Sequence, residues 1–169
     1  ADLSNDMTWA SVGWAVCYVG LATGFVEEAI FRGFLLSTLE RRMGRTFAVV
    51  VSSVLFGIVH VMGRPMDVAS FVQMVVAVSL VGILLSLITL ETGTIWNAAL
   101  IHAVWNMIII GDVIAIGPEA SDTAWASFVL NSQSPLVTGG DFGIEASLMA
   151  IVPIGLFTVL ALIRAKHTD

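Results

Sequence analysis

The chain has 169 residues, 57% hydrophobic and 12% charged, with a formal net charge of −6 and a mean hydropathy of +0.95. Soluble domains carry about 25% charged residues, so this composition excludes an ordinary soluble domain and points to a membrane protein. The lack of a basic, aromatic-interleaved patch excludes a nucleic-acid binder, and a single cysteine, Cys17, read as a small buried hydrophobe, excludes a disulfide framework.

Ala1 opens a polar stretch, Asp2 to Asp6, with no basic n-region, so the start is not a signal peptide. It reads as a cut in a longer protein whose further spans lie upstream. The first apolar segment, about Trp9 to Leu39, exceeds what a ~30 Å hydrocarbon core requires. A break or bend is therefore expected near Gly20 or Gly24. Four more segments follow, at about Thr46–Met62, Asp67–Leu90, Thr94–Ile110 and Ile144–Ile163. Thr46, Asp67 and Thr94 serve as N-caps in this reading, and Pro153 bends the last segment. The polar stretch 111–143 is expected to be a loop. The fold class is therefore all-α, a polytopic transmembrane bundle of five to six helical segments in a single domain, enclosing a membrane-embedded polar cavity.

Arg41, Arg42 and Arg45 share one loop, and Arg164 and Lys166 follow the last segment, whereas 111–143 holds no Lys or Arg. The excess of basic residues places 41–45 and 164–169 in the cytoplasm of a multi-pass cell-membrane protein. Sparse lysine, an acidic outer loop and no organelle signal suggest a prokaryotic source.

Three of these segments carry ionisable groups, which cost at least ~2.5 kcal/mol each in a bilayer and mark functional sites. Glu27 and Glu28 lie in the first, His60 in the second, and His102 with Asn106 in the fourth. From Arg41 back to Glu27, and from Thr46 forward to His60, the helical rise is roughly 21 Å; from Thr94 to His102 and Asn106 it is roughly 12 and 18 Å. One shared depth predicts one site. Glu28 and Arg32 have i, i+4 ion-pair spacing, leaving Glu27 as the carboxylate without a local partner; Arg32 also suits a substrate carboxylate. A network that only glues helices is the competing view, but interhelical hydrogen bonds average ~0.6 kcal/mol, too little to require ionisable groups.

A carboxylate and two imidazoles around one point suit hydrolysis: the carboxylate and one His activate water, while the other His and the Asn amide hold an oxyanion. The same Glu27, His60 and His102 also have the composition of a His₂Glu zinc site, and spacing leaves both open.

At these residues the chain resembles the CAAX protease and bacteriocin-processing (CPBP) family of intramembrane endopeptidases, also called the abortive-infection or Rce1-like family. The motifs stand as Glu27-Glu28-Ala29-Ile30-Phe31-Arg32, Phe56-Gly57-Ile58-Val59-His60 and His102-Ala103-Val104-Trp105-Asn106, with flanking matches at Phe31–Leu35 and Gly93–Trp96. The resemblance implies an intramembrane endopeptidase in which Glu27 and His60 activate water, and His102 and Asn106 hold the oxyanion. Glu28 and Arg32 then organise the site or engage the substrate tail. It favours a glutamate-dependent mechanism with no cofactor, zinc being the other option. The implied partners are a membrane-anchored peptide or protein substrate, of CAAX or prokaryotic type, and the lipid bilayer. The alternative function is a non-catalytic peptide-binding or bacteriocin-immunity partner, and an ion carrier ranks last because inverted repeats are lacking.

Overall fold

The structure, a computed structural model, describes residues 9–63 and 65–165. Asp2–Asp6 and Lys166, which entered the sequence reading, lie outside the described residues. The main helices are α1 (Ala10–Met43), α2 (Arg45–Val61), α3 (Val68–Thr92) and α4 (Trp96–Ile110). A connecting region holds strands β1 (Ile114–Gly117) and β2 (Ala126–Val129) and the short helix α5 (Pro135–Thr138), before α6 (Leu148–Ala165). Helices α1 and α3 are long and apolar enough to cross a membrane, while α2, α4 and α6 are apolar but shorter.

Helix α1 does not break at Gly20 or Gly24. It is continuous, with two π-helical stretches, Ala15–Ala22 and Ala29–Leu36, on either side of the segment that carries Glu27 and Glu28. The two glycines serve close packing instead. A Cβ on Gly20 would lie 3.0 Å from the Ala103 carbonyl oxygen, and one on Gly24 would lie 2.9 Å from Ala103 Cα and N. Small residues let backbones approach in this way when lipid offers no hydrophobic drive between helices. Ala98, Ala99 and Ala103, all with 0% exposure, are the matching small surface on α4.

Helices α2 and α3 use the same device. A Cβ on Gly57 would meet Ser79 Oγ at 2.5 Å, and one on Gly82 would meet Ser53 Cβ at 2.9 Å. This approach brings the Gly82 carbonyl within reach of α1. Apolar clusters close the two ends: Leu36, Ala48 and Val49 at one, and Val61, Met74, Ala77, Phe142 and Ala146 at the other.

Contacts also sort the connections by end. Glu40 shares a cleft wall with Gly93 and Thr94, and Arg164 Nε lies 2.9 Å from Glu91 Oε1, so the 41–45 turn, the 91–95 turn and the end of α6 are neighbours. At the opposite end Gln73 Nε2 donates to the carbonyls of Ala146 and Pro135 at 2.7 and 3.1 Å, tying the connecting region to α3.

Other local expectations divide. Asp67 caps α3, accepting from the Ala69 and Ser70 amides. The Ser70 hydroxyl first, and then these amides, hold its carboxyl below the usual carboxylate range. Thr46 is not a cap, because α2 already starts at Arg45 after Gly44. Residue Ile95, one place after Thr94, precedes the first turn of α4. The 111–143 region is not wholly loop: β1 and β2 pair in parallel, from Ile114 opposite Ala126 to Gly117 opposite Val129. The chain is thus mostly helical, with a small β ladder that corrects the all-α expectation. The last helix starts at Leu148, later than expected, because Gly140–Phe142 and Ile144–Ala146 form 3₁₀ turns first. Cys17 is exposed on α1 rather than buried.

Candidate active site

The π-helical stretches of α1 leave Glu27 and Glu28 on adjacent faces of the short α-helical turn between them. Glu28 is fully buried at 0% exposure, and Arg32 is buried beside it at 2%. Arg32 Nη1 donates to Glu28 Oε1 at 2.7 Å, and Arg32 Nη2 donates to the Gly82 carbonyl of α3 at 3.1 Å. The guanidinium also lies 4.4 Å from the Phe56 ring centroid, a cation–π distance. Three helices thus hold one arginine.

Glu28 Oε1 has a second partner, His102 Nδ1 at 2.8 Å. A carboxylate without a proton only accepts, so this bond places the hydrogen of His102 on Nδ1 and leaves Nε2 to face elsewhere. His60 is held comparably: its Nδ1 lies 2.8 Å from the Phe56 carbonyl, an acceptor, one turn back in α2. The Phe56 ring stands against both imidazoles, with centroids 4.4 Å from His60 and 5.7 Å from His102.

Both Nε2 atoms converge on the free carboxylate. Glu27 Oε2 lies 3.7 Å from His60 Nε2 and 3.6 Å from His102 Nε2. These separations are too long for direct hydrogen bonds. Glu27 Oε2 is itself shielded and has no hydrogen-bond partner among the described residues. The Glu27 and His60 side chains are each 30% exposed and His102 only 7%, so the cluster is open on the Glu27–His60 side.

Asn106 starts the π-helical end of α4. Its Nδ2 donates to Thr23 Oγ1 of α1 at 3.1 Å. Thr23 stands one turn before Glu27, so the amide is tied to the same stretch of α1. Glu27, Glu28, Arg32, His60 and His102 are therefore joined by side-chain contacts, and Asn106 reaches the same stretch of α1 through Thr23.

A cleft of about 380 Å³ is lined by Arg32, Gly33, Leu36, Ser37, Glu40, Thr89, Leu90, Gly93, Thr94 and Ile95. It reaches the guanidinium from the end of the molecule that holds the 41–45 turn. Glu27 and the two histidines are not part of its wall.

Glu27, His60 and His102 have the donor chemistry of a zinc site, yet among the described residues no group of three or more His, Cys, Asp or Glu side chains is placed to hold a metal ion. The chemistry below is derived for the side chains alone.

Sequence reasoning missed three contributors: Thr23, the Gly82 carbonyl and the Phe56 ring. Phe56 stood in a quoted motif without a role. The spacing of Thr23 four residues before Glu27 was a legible signal, whereas a backbone carbonyl leaves none.

Because Gly24 touches Ala103, Gly24→Ala tests how α1 and α4 set the site. Overpacking of this kind costs about 1–3 kcal/mol, and here the obstacle is backbone. The expected result is a lowered unfolding midpoint together with lost activity, while Gly13→Ala, where a Cβ meets nothing within 4 Å, changes neither. Thermal unfolding in detergent checks the comparison.

A model of the type II CAAX prenyl endopeptidase Rce1-like family matches residues 9–108, the stretch that supplies every residue of the cluster. No curated protein and no solved structure matches the chain.

Proposed function

The chain belongs to the Rce1-like family of type II CAAX prenyl endopeptidases, a membrane-embedded peptidase family, and from that premise we propose that it is an intramembrane endopeptidase whose hydrolytic water is activated by Glu27. The observation that carries the reading is the approach of Glu27 Oε2 to two imidazole Nε2 atoms from two other helices, at 3.6 and 3.7 Å. Atoms this close leave no room for a water on the line between them, so the water of this reading sits to one side, within hydrogen-bond reach of Glu27 Oε2 and His60 Nε2.

Each side chain then has a task. Glu27 takes a proton from the water while His60 Nε2, whose hydrogen is on Nδ1, accepts the water's other hydrogen bond. The water oxygen bonds to the scissile carbonyl carbon, and the carbonyl electron pair moves to its oxygen. Asn106 Nδ2 donates to that oxyanion through the hydrogen that Thr23 does not use. His102 donates from Nε2 only as imidazolium, because Glu28 already holds its Nδ1 hydrogen. Arg32 offsets the charge of Glu28, and His102 in its imidazolium form offsets that of Glu27. Collapse of the intermediate breaks the C–N bond, and the proton on Glu27 passes to the leaving amine.

The substrate of this reading is a membrane-associated peptide of CAAX type, and the enzyme crosses a cell membrane several times with 41–45 and 164–169 in the cytoplasm. The neighbouring positions of the 41–45 turn, the 91–95 turn and Arg164 support that sidedness.

The test is cleavage of a liposome-tethered peptide with an S-prenylated Cys-a-a-X terminus, read by mass spectrometry with and without a zinc chelator. The expected result is a shortened product at equal rates in both arms. An intact substrate would overturn the peptidase reading, and loss of activity on chelation, restored by zinc, would overturn the metal-free mechanism.

A further inference from the structure

We infer that Thr23 is a positioning residue that fixes the orientation of the Asn106 carboxamide; the inference rests on the peptidase reading above. The Thr23 hydroxyl donates to the Val19 carbonyl within α1, so its proton is committed and its oxygen has only acceptor capacity left. Asn106 meets that oxygen from α4, at 3.1 Å. Of the two ends of a carboxamide, only the NH₂ can face an acceptor, so the contact selects Nδ2 over Oδ1. The assignment follows from the hydrogen-bond network, which is how amide orientation is decided.

Bonding to its own i−4 carbonyl is a common habit of threonine in helices and would by itself say nothing about function. The bond from Asn106 is separate, comes from a residue 83 positions away, and joins two helices where glycines let their backbones come close. Gly20 and Gly24 flank Thr23, and both lie against Ala103, one turn before Met107. A side chain as short as threonine reaches across only because those glycines remove the intervening Cβ atoms. With one Nδ2 hydrogen on Thr23, the other remains for an oxyanion. Without the hydroxyl, the amide is free to rotate and to present Oδ1, a lone-pair atom, where a donor is needed.

The experiment compares wild type, Thr23→Val, Thr23→Ser, Asn106→Ala and the Thr23→Val/Asn106→Ala double variant on the prenylated liposome peptide, with unfolding midpoints for each. Loss of one oxyanion donor costs roughly 10²–10³-fold in kcat, and loss of its orientation is expected to cost about tenfold or more, with KM unchanged. Thr23→Ser recovers most of the rate, and Thr23→Val adds little once Asn106 is alanine. Should Thr23→Val not fold, Thr23→Ala replaces it in the same comparison. Wild-type kcat in Thr23→Val, an equal loss in the Asn106→Ala background, or a failure of Thr23→Ser to recover the rate would overturn the assignment. A Glu27→Gln enzyme that still cleaves at the wild-type rate would sink the parent reading instead, so the two failures are distinguishable.

Discussion

Replacing Glu27 with Gln is expected to slow cleavage of the liposome-tethered peptide by roughly 10²–10⁴-fold, the range general acid–base catalysis supplies, and to leave the unfolding midpoint unchanged. Glutamine has the same shape and keeps a carbonyl oxygen near the imidazoles, but it cannot take a proton from water. The site tolerates the exchange because Glu27 is 30% exposed and makes no ion pair with Arg32. Both imidazoles keep their anchors, Phe56 for His60 and Glu28 for His102. Rates measured under single-turnover conditions, with midpoints from the same preparations, separate chemistry from folding. A Glu27→Gln enzyme with wild-type turnover would remove this carboxylate from the mechanism.

Arg32→Met is expected to have the largest effect on stability. It leaves the Glu28 carboxylate at 0% exposure with His102 as its remaining partner. Removing one member of a buried pair costs about 3–5 kcal/mol, because the other charge stays buried and uncompensated. The same rule predicts rescue: Glu28→Gln added to Arg32→Met removes the stranded charge and restores most of the midpoint. The introduced carboxamide retains an oxygen for His102 Nδ1, so the double variant also regains part of the activity lost in Arg32→Met. Thermal unfolding in detergent reads the first effect and peptide cleavage the second. If Arg32→Met unfolds at the wild-type temperature, the Arg32–Glu28 pair is not the anchor of this site.

Much of the site was legible because intramembrane charge is expensive. Glu27, Glu28, His60 and His102 stand out against apolar neighbours, and rise along the helices brought them to one level. The count was approximate, since π-helical turns in α1 advance less per residue than the α-helical rise assumed, yet the carboxylate still meets both rings. Spacing also anticipated the Arg32–Glu28 pair. The break at Gly20 or Gly24 is absent for a physical reason: glycine permits a helix to end and also permits a neighbouring helix to touch, and composition cannot tell the two apart. Contact with Ala103 decides it. The π-helical stretches escaped notice because an i→i+5 pattern leaves no clear mark in a uniformly apolar segment. The β1–β2 ladder lies among glycines, serines and acidic residues, where strand alternation is too short to register. Thr23 stands at a legible spacing from Glu27, but its contact with Asn106 depends on a helix far along the chain. Glu28 carried more than foreseen, since its contact with His102 sets which ring nitrogen faces Glu27.

The central claim is that Glu27 activates a water molecule that attacks the peptide bond. A single turnover in H₂¹⁸O, with excess enzyme and the liposome-tethered peptide, tests this most directly. The account predicts one ¹⁸O atom in the new carboxyl terminus of the product and none in the enzyme peptide bearing Glu27. Label in Glu27, with an unlabelled product carboxylate, would show that the side chain itself attacked the carbonyl carbon, and would contradict the account.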